Sequence, residues 1–298
     1  MSTMSGRGIL AGAAAVAAAG AACVAYGALI ERKWYRLRRE TVPVLPAGSA
    51  PLTVLHLSDL HQTAADRRQR GWLAGLAEEP VDLVVVTGDM LGEPTALAPV
   101  LATLGAFRPR LGAVAVLGSN DYYAPRPKNY FSYFLPRRRR RLAKRNPWQD
   151  LVDGLRDLGW TVLANERATI AGGRIELAGL DDGHIGRDDA RILVPPAAGA
   201  EARLRLGVCH APYLRSLDAF ERNGYDLVLA GHTHGGQVCL PLAGALVTNC
   251  DLPRGQARGL SRHGSSWLHV SGGVGTSKFA PFRFACRPEA SVLELVQR

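Results

Sequence analysis

Residues Asp226–Gln237 read DLVLAGHTHGGQ, and the rest of the chain is best understood from this stretch. An apolar run, Leu227–Ala230, stops at Gly231 and is followed by two histidines one residue apart, His232 and His234. A short continuous apolar run closed by glycine predicts a buried strand. The glycine-flanked turn beyond it is free to aim both imidazoles at one point. Imidazole is the commonest metal ligand among side chains. His-x-His after a strand is by itself a moderate signal, so its weight rests on partners at other strand ends.

Those partners recur along the chain. Leu52–Ser58 is an apolar, β-prone run that leads into Asp59-Leu60-His61. Val81–Thr87 leads into Gly88-Asp89, and Gly112–Leu117 into Gly118-Ser119-Asn120-Asp121. Ile175–Leu180 leads into Asp181-Asp182-Gly183-His184, and Leu204–Val208 into Cys209-His210. Helical patterns over 62–79, 95–104 and 148–158 separate the early strands. The late strands, expected at 238–240, 247–249, 267–270 and 292–295, follow each other closely. This is a mixed α/β pattern with two packed sheets. In open α/β sheets ligands bind beyond the carboxyl ends of the strands. Each Asp, Asn or His alone is an ordinary loop or core residue, but five strand ends carrying them are not an ordinary coincidence.

The candidates Asp59, His61, Asp89, Asn120, His210, His232 and His234 combine carboxylate, carboxamide and imidazole without thiolate. Such a set suits Mn, Fe or Zn. Seven donors exceed the needs of one tetrahedral ion and fit two divalent or trivalent ions sharing a carboxylate. Two ions roughly 3.5–4 Å apart would clamp a phosphoryl group and activate a bridging hydroxide for in-line attack.

The motifs SDLH at 58–61, TGDM at 87–90, GHTHGGQ at 231–237 and the tail VSGGVGTSKFAPFRFACRPEASVLEL resemble those of the calcineurin-like metallophosphoesterase superfamily. The resemblance runs from Leu52 to Arg298 and is greatest to a small, membrane-associated bacterial branch that includes phosphodiesterases and is similar to some UDP-diacylglucosamine hydrolases. It implies a four-layer α/β/β/α sandwich. It also implies that Asp59, His61 and His234 hold one metal, that Asp89 bridges, and that His210, His232 and an Asn of the third motif hold the second. The third motif departs from the family's Gly-Asn-His-Asp. Either Ser119 or Asn120 takes the metal Asn position, with Asn120 preferred because a carboxamide oxygen binds metal better than a neutral hydroxyl. The family's catalytic histidine is missing in both alignments. Asp121 and His184 are the candidates for its role as acid; for His184 a solvated loop histidine is an equal reading. His56 reads as a core residue.

Composition sets the surroundings. The chain has 298 residues, 47% of them hydrophobic, and a formal net charge of +10. Its five cysteines form no Cys-x-x-Cys pair, which argues against a disulfide framework or a thiolate zinc site. Residues 9–30 carry no charge and exceed the ~20 apolar residues that span a bilayer. Arg7 precedes this run, while Arg32, Lys33, Arg36, Arg38 and Arg39 follow it, so the positive-inside tendency keeps the remainder cytoplasmic at the cell membrane as a single-pass protein. The competing reading is a cleaved signal peptide and an exported domain. The expected organisation is a tail over 1–8, an anchor over 9–30, a basic juxtamembrane segment and linker over 31–51, and the catalytic domain over 52–298.

Within that domain, 122–146 is a basic and aromatic insertion ending in Arg137, Arg138, Arg139, Arg140 and Arg141, then Lys144 and Arg145. A long charge run is most simply a solvated loop. The functional reading is a membrane-facing cap or a guide for an anionic lipid substrate. No nucleic-acid recognition motif accompanies it, and no specific nucleic-acid partner is expected. The expected function is hydrolysis of a phosphodiester or pyrophosphate bond in a phosphorylated small molecule or a lipid-linked substrate. The alternative, favoured by the altered third motif, is a catalytically weakened metal-binding or regulatory membrane protein.

Overall fold

Alternation along the strands sorts the apolar side chains into three layers of core. In the computed structural model, which describes residues 6–126, 144–196 and 204–298, two six-stranded sheets stand face to face. The first comprises Arg36–Leu45 (β1), Leu52–Leu57 (β2), Leu83–Thr87 (β3), Gly112–Val116 (β4), Trp160–Val162 (β5) and the late strand Glu289–Gln297 (β14). Their order is β1-β14-β2-β3-β4-β5, with β2 to β5 parallel. The second comprises Glu166–Ile170 (β6), Ile175–Gly179 (β7), Leu204–Val208 (β8), Leu227–Ala230 (β9), Gly259–His263 (β12) and Ser266–Val270 (β13). Their order is β12-β13-β9-β8-β7-β6, with β7, β8, β9 and β13 parallel. A separate short hairpin pairs Cys239–Leu240 (β10) with Gly244–Ala245 (β11).

Successive side chains of a strand point to opposite faces. Leu55, Leu57, Val84 and Val86 therefore pack outward, against Arg67–Leu76 (α2), Leu97–Leu104 (α3) and Trp148–Asp157 (α4) through Leu73, Leu104 and Leu155. Val54, Leu83, Val85, Leu227 and Leu229 meet between the sheets. Val228 and Ala230 turn to the far side and meet Leu217 and Phe220 of Leu214–Arg222 (α5). The result is the expected α/β/β/α sandwich. His56 is buried in it as expected, with Nδ1 2.8 Å from His269 Nδ1 on the opposing sheet.

Two expectations need correction, and a third falls outside the described residues. The segment 31–51 is not simply juxtamembrane and linker: β1 runs through it as an edge strand, parallel to β14. Val42, Val44 and Leu45 are buried there, and Pro43 is tolerated because an edge strand leaves backbone donors unpaired. Residues 247–249 form no strand; the late apolar stretch is the β10–β11 hairpin. The arginines of 137–141 and most of the 122–146 insertion lie outside the described residues.

Ahead of the sandwich stands a helix, Gly6–Leu29 (α1). Within residues 10–33 an 18-residue stretch has a mean hydropathy of 2.0, and 6% of it is buried, so the segment is long and apolar enough to cross a membrane by length and composition. Its far end is tied to the sandwich. The Arg283 N–H donates to Gly27 O at 3.2 Å, and Glu31 accepts from the N–H groups of Ala285 and Cys286 at 3.0 and 2.6 Å.

Candidate metal centre

The carboxyl ends of β2, β3, β8 and β9 come together where the two sheets meet, and cross-sheet hydrogen bonds hold them there. Asp59 Oδ2 accepts from the His232 N–H at 3.0 Å and from Ser58 Oγ at 2.6 Å. The Asp59 and His61 N–H groups donate to Gly88 O and Asp89 O. His210 Nδ1 donates to Thr87 O at 2.7 Å, which makes Nε2 the nitrogen that turns a lone pair to a metal once it is deprotonated. That Nε2 lies 3.6 Å from Asp89 Oδ2 and 3.3 Å from His232 Nδ1.

The backbone is bent to achieve this. Asp59, His61, Asp89, His232 and His234 all have φ between 41° and 69°, the left-handed region that costs non-glycine residues energy. Backbone strain of this kind clusters at functional sites, where surrounding contacts over-determine the geometry. Gly231 makes the convergence possible: a Cβ there would stand 1.8 Å from Ser58 Oγ.

Two triads of ligand atoms result, each with its atoms within 4.8 Å of one another: Asp59, His61 and His234, and Asp59, Asp89 and His210. Asp59 Oδ1 is buried without a hydrogen-bond partner and lies 3.5 Å from His234 Nε2. His61 Nε2 and His234 Nε2 face each other at 3.1 Å. Buried basic nitrogens and carboxylate oxygens aimed at each other need a positive charge among them. The donor set fits divalent cations of the Mn, Fe or Zn type.

Electrostatics prepares most of the imidazoles for ligation. Burial, then neighbouring His61 and the Arg283 guanidinium, hold His234 far below its ordinary pKa. Burial, His184 and His210 do the same for His232, and burial lowers His61. All three stay neutral, the form that binds metal. His210 differs: burial pulls it down, but Asp89, Asp182 and Asp59 outweigh burial and push it up to about 9.

The third motif divides into three roles. The Asn120 N–H bonds Asp89 Oδ1 at 2.7 Å, and its carboxamide reaches Asp89 Oδ2 at 2.5 Å. Ser119 lines the cleft beside it. Asp121 does not line the cleft. It is fully buried and its carboxylate accepts from the N–H groups of Met90, Leu91 and Gly118 at 2.8–3.0 Å. It therefore clamps the loop after β3 to the loop after β4, and an acid held that way has no access to substrate. His184 does line the cleft, its ring 4.3 Å from that of His232 and its Nδ1 3.0 Å from the Tyr213 hydroxyl.

The sequence reading missed Arg283. Its guanidinium is wholly buried and donates to the carbonyls of Gly272, Gly273 and Gly275 at 2.7–3.0 Å, and its Nη2 lies 3.3 Å from His234 Nδ1. A lone arginine within the apolar run FAPFRFA was the available signal. Above this floor opens a cleft of about 460 Å³. Its floor is His61, Asp89, Asn120, His232 and His234, and its lining also includes an apolar wall of Val238, Leu246, Val247, Phe279 and Phe282.

A strand-end cluster of this composition, on paired sheets, defines a metal-dependent phosphoester hydrolase. The chain belongs to the calcineurin-like phosphoesterase family, whose model matches residues 52–236, more than half of its length. It is 29% identical to the phosphodiesterase YaeI of Escherichia coli over 276 residues, covering 89% of this chain and 90% of that one. It is also 29% identical to the uncharacterized metallophosphoesterase YkoQ of Bacillus subtilis, covering 83% and 84% of the two chains. A transmembrane protein with metallophosphoesterase domain from Danio rerio is 27% identical, over 86% of this chain and 56% of that protein.

Proposed function

We propose that the protein is a membrane-anchored hydrolase that uses two metal ions to cleave a phosphodiester or pyrophosphate bond, with a lipid-linked phosphoester as its substrate class. The observation that carries this reading is the cleft itself, lined by His61, Asp89, Asn120, His232 and His234 over the buried Asp59 and His210 and also by an apolar wall. Asp59, His61 and His234 would hold one ion, Asp89 would be shared, and His210, His232 and Asn120 would hold the second. Bound there, the ions supply Lewis-acid polarisation of the phosphoryl oxygens and acidify water.

The chain's own residues do the rest. Thr87 O orients the His210 ring from behind, Arg283 donates to the His234 carbonyl, and Asp121 fixes the two loops that carry Asp89 and Asn120. His184, with Nδ1 held at the Tyr213 hydroxyl, is the group in the cleft able to pass a proton from Nε2 to a departing alkoxide. The wall from Val238 to Phe282 takes the acyl or prenyl part and keeps water from it. α1 crosses the membrane once, and the basic residues after it keep the sandwich on the cytoplasmic side.

Two chromogenic substrates test the proposal. Bis-p-nitrophenyl phosphate reports hydrolysis in water, and p-nitrophenyl hexadecyl phosphate in vesicles reports use of the apolar wall. With Mn added, both should be cleaved by the full chain, and Asp89→Asn should bring both to background. Turnover of neither substrate with Mn, Fe or Zn would overturn the reading; turnover of the soluble one alone would overturn the lipid-linked class.

A further inference from the structure

The exposed large apolar side chains of this protein are not scattered. Among the described residues they are Leu10, Val16, Val24, Leu29, Ile30 and Trp34 on α1 and just after it, Leu240, Leu242, Leu246 and Val247 on the hairpin, and Leu158 elsewhere. Large contiguous exposed apolar surface marks an interaction site. The hairpin is also uncharged from Gln237 to Cys250, in a chain of net charge +10. Leu242 stands at its tip, wholly exposed and at φ 69°. A bulky residue in the left-handed region is costly, and turns normally use glycine or asparagine there. Here the strained position projects a leucine into solvent.

The two apolar patches belong to one packed unit. Val238 bridges Phe284, and the Cys239 N–H donates to Phe284 O at 2.9 Å. The Phe284 ring meets Tyr26 of α1 edge-on with centroids 6.4 Å apart. Neighbouring Arg283 and Ala285 hold Gly27 and Glu31. At the same end Arg287 lies over the Trp34 ring at 4.0 Å, an aromatic–cation pair of the kind found at the headgroup level. The hairpin thus sits beside the point where α1 reaches the sandwich. From its tip the apolar surface continues through Leu246 and Val247 into the wall of the cleft.

We propose that the β10–β11 hairpin is a second membrane-contacting element, inserting Leu240 and Leu242 into the acyl boundary of the bilayer beside α1. The inference rests on the reading of α1 as a membrane anchor. The lipid surface is the occupant because the patch adjoins the one helix among the described residues that is long and apolar enough to cross a membrane, carries no charge, and is bordered by an interfacial Trp and Arg. The insertion also gives the cleft its orientation. Its apolar wall opens toward the lipid, so a substrate can slide its chain along Val247 and Leu246 while its phosphoryl group stays at the polar floor.

The test uses the full chain in phosphatidylcholine–phosphatidylglycerol vesicles, with chain-brominated lipid as a fluorescence quencher. Leu242→Trp adds a fluorophore at the hairpin tip, and Leu158→Trp adds one at the exposed leucine outside both patches; each is read as the difference from the parent protein. Quenching of the Leu242→Trp signal with the Leu158→Trp signal unaffected is the expected result. Quenching of neither, or equal quenching of both, overturns the proposal. Resistance to carbonate extraction reads the anchor separately: resistant protein with an unquenched Leu242→Trp signal sinks the hairpin and leaves the anchor standing, whereas extractable protein sinks the anchor and the hairpin's placement with it. Leu240→Glu with Leu242→Glu should lower turnover of p-nitrophenyl hexadecyl phosphate in vesicles by about tenfold, equivalent to about 1.4 kcal/mol. Turnover of bis-p-nitrophenyl phosphate should be unchanged; an equal fall of both, or of neither, contradicts the assignment.

Discussion

The floor and the wall of the cleft are built on opposite principles. The floor is polar, buried and strained: His61, Asp89, His232 and His234 hold left-handed φ angles, and its oxygens and nitrogens approach within 2.5–3.6 Å. The wall is apolar and half open, with Leu246 and Val247 43% and 38% exposed. Directional groups in a dry site lose their function when displaced by an ångström. Apolar area is non-directional and roughly additive. The floor should therefore fail sharply under small changes, whereas the wall should yield gradually, and only for substrates that use it.

The harshest test of this contrast is Gly231→Ala. The added methyl would meet Ser58 Oγ at 1.8 Å and Asp59 Oδ2 at 2.7 Å, two groups that cannot retreat without moving the carboxylate proposed to hold a metal. Overpacking of this kind costs about 1–3 kcal/mol in stability. Turnover of both substrates should fall to background while the protein stays folded, checked by thermal melting alongside the assay. Near-parental activity in this variant would show that the floor is softer than its geometry implies.

How far the sequence led follows from the same contrast. The floor's residue types were legible because the strand-end rule needs only apolar runs and the residues that end them. The sandwich was legible for the same reason, since Leu55 and Val86 on one face and Val54 and Val85 on the other follow the strand period. β1 was not legible: RLRRETVPVL looks like a basic linker, and its partner β14 lies at the other end of the chain. The backbone strain was invisible as well, because left-handed φ at aspartate and histidine is imposed by tertiary contacts. Asp121 shows the remaining limit. Its place in the motif pointed to catalysis, but only the fold reveals three backbone N–H groups closing around its carboxylate.

Asp121 and His184 accordingly separate two ways of acting on the floor. His184→Ala should cut turnover of a glycerophosphodiester by roughly 10²-fold, the lower range for a general acid. It should leave p-nitrophenolate release nearly intact, because that leaving group departs without a proton. Asp121→Asn puts an amide N–H against the Gly118 N–H, a mismatch worth about 1–3 kcal/mol. It should lower the melting temperature and affect both substrates alike. Burial, then repulsion by Asp89, pushes the Asp121 pKa up to about 7, so metal-free protein should be least stable on the alkaline side of that value. A substrate-dependent effect in Asp121→Asn, with none in His184→Ala, would exchange the two assignments.

The smallest effect concerns one proton on the floor. His61, His232 and His234 are already neutral, so cation binding displaces nothing from them. His210 is raised to about 9 by its carboxylate neighbours despite burial, and so carries a proton through neutral pH. In the metal-free fold this raised pKa stabilises below the ordinary histidine value, and that contribution disappears as pH climbs through 9. Metal binding needs His210 neutral and must expel that proton, so linkage makes affinity rise by ~tenfold per pH unit until about pH 9, then level off. Apparent Kd values for Mn at pH 7, 8 and 9 give the slope. His210→Asn should weaken binding and flatten it, whereas Val247→Ala on the wall should leave both slope and affinity unchanged. A slope near zero in the parent protein would mean that His210 enters the site neutral, like its three companions.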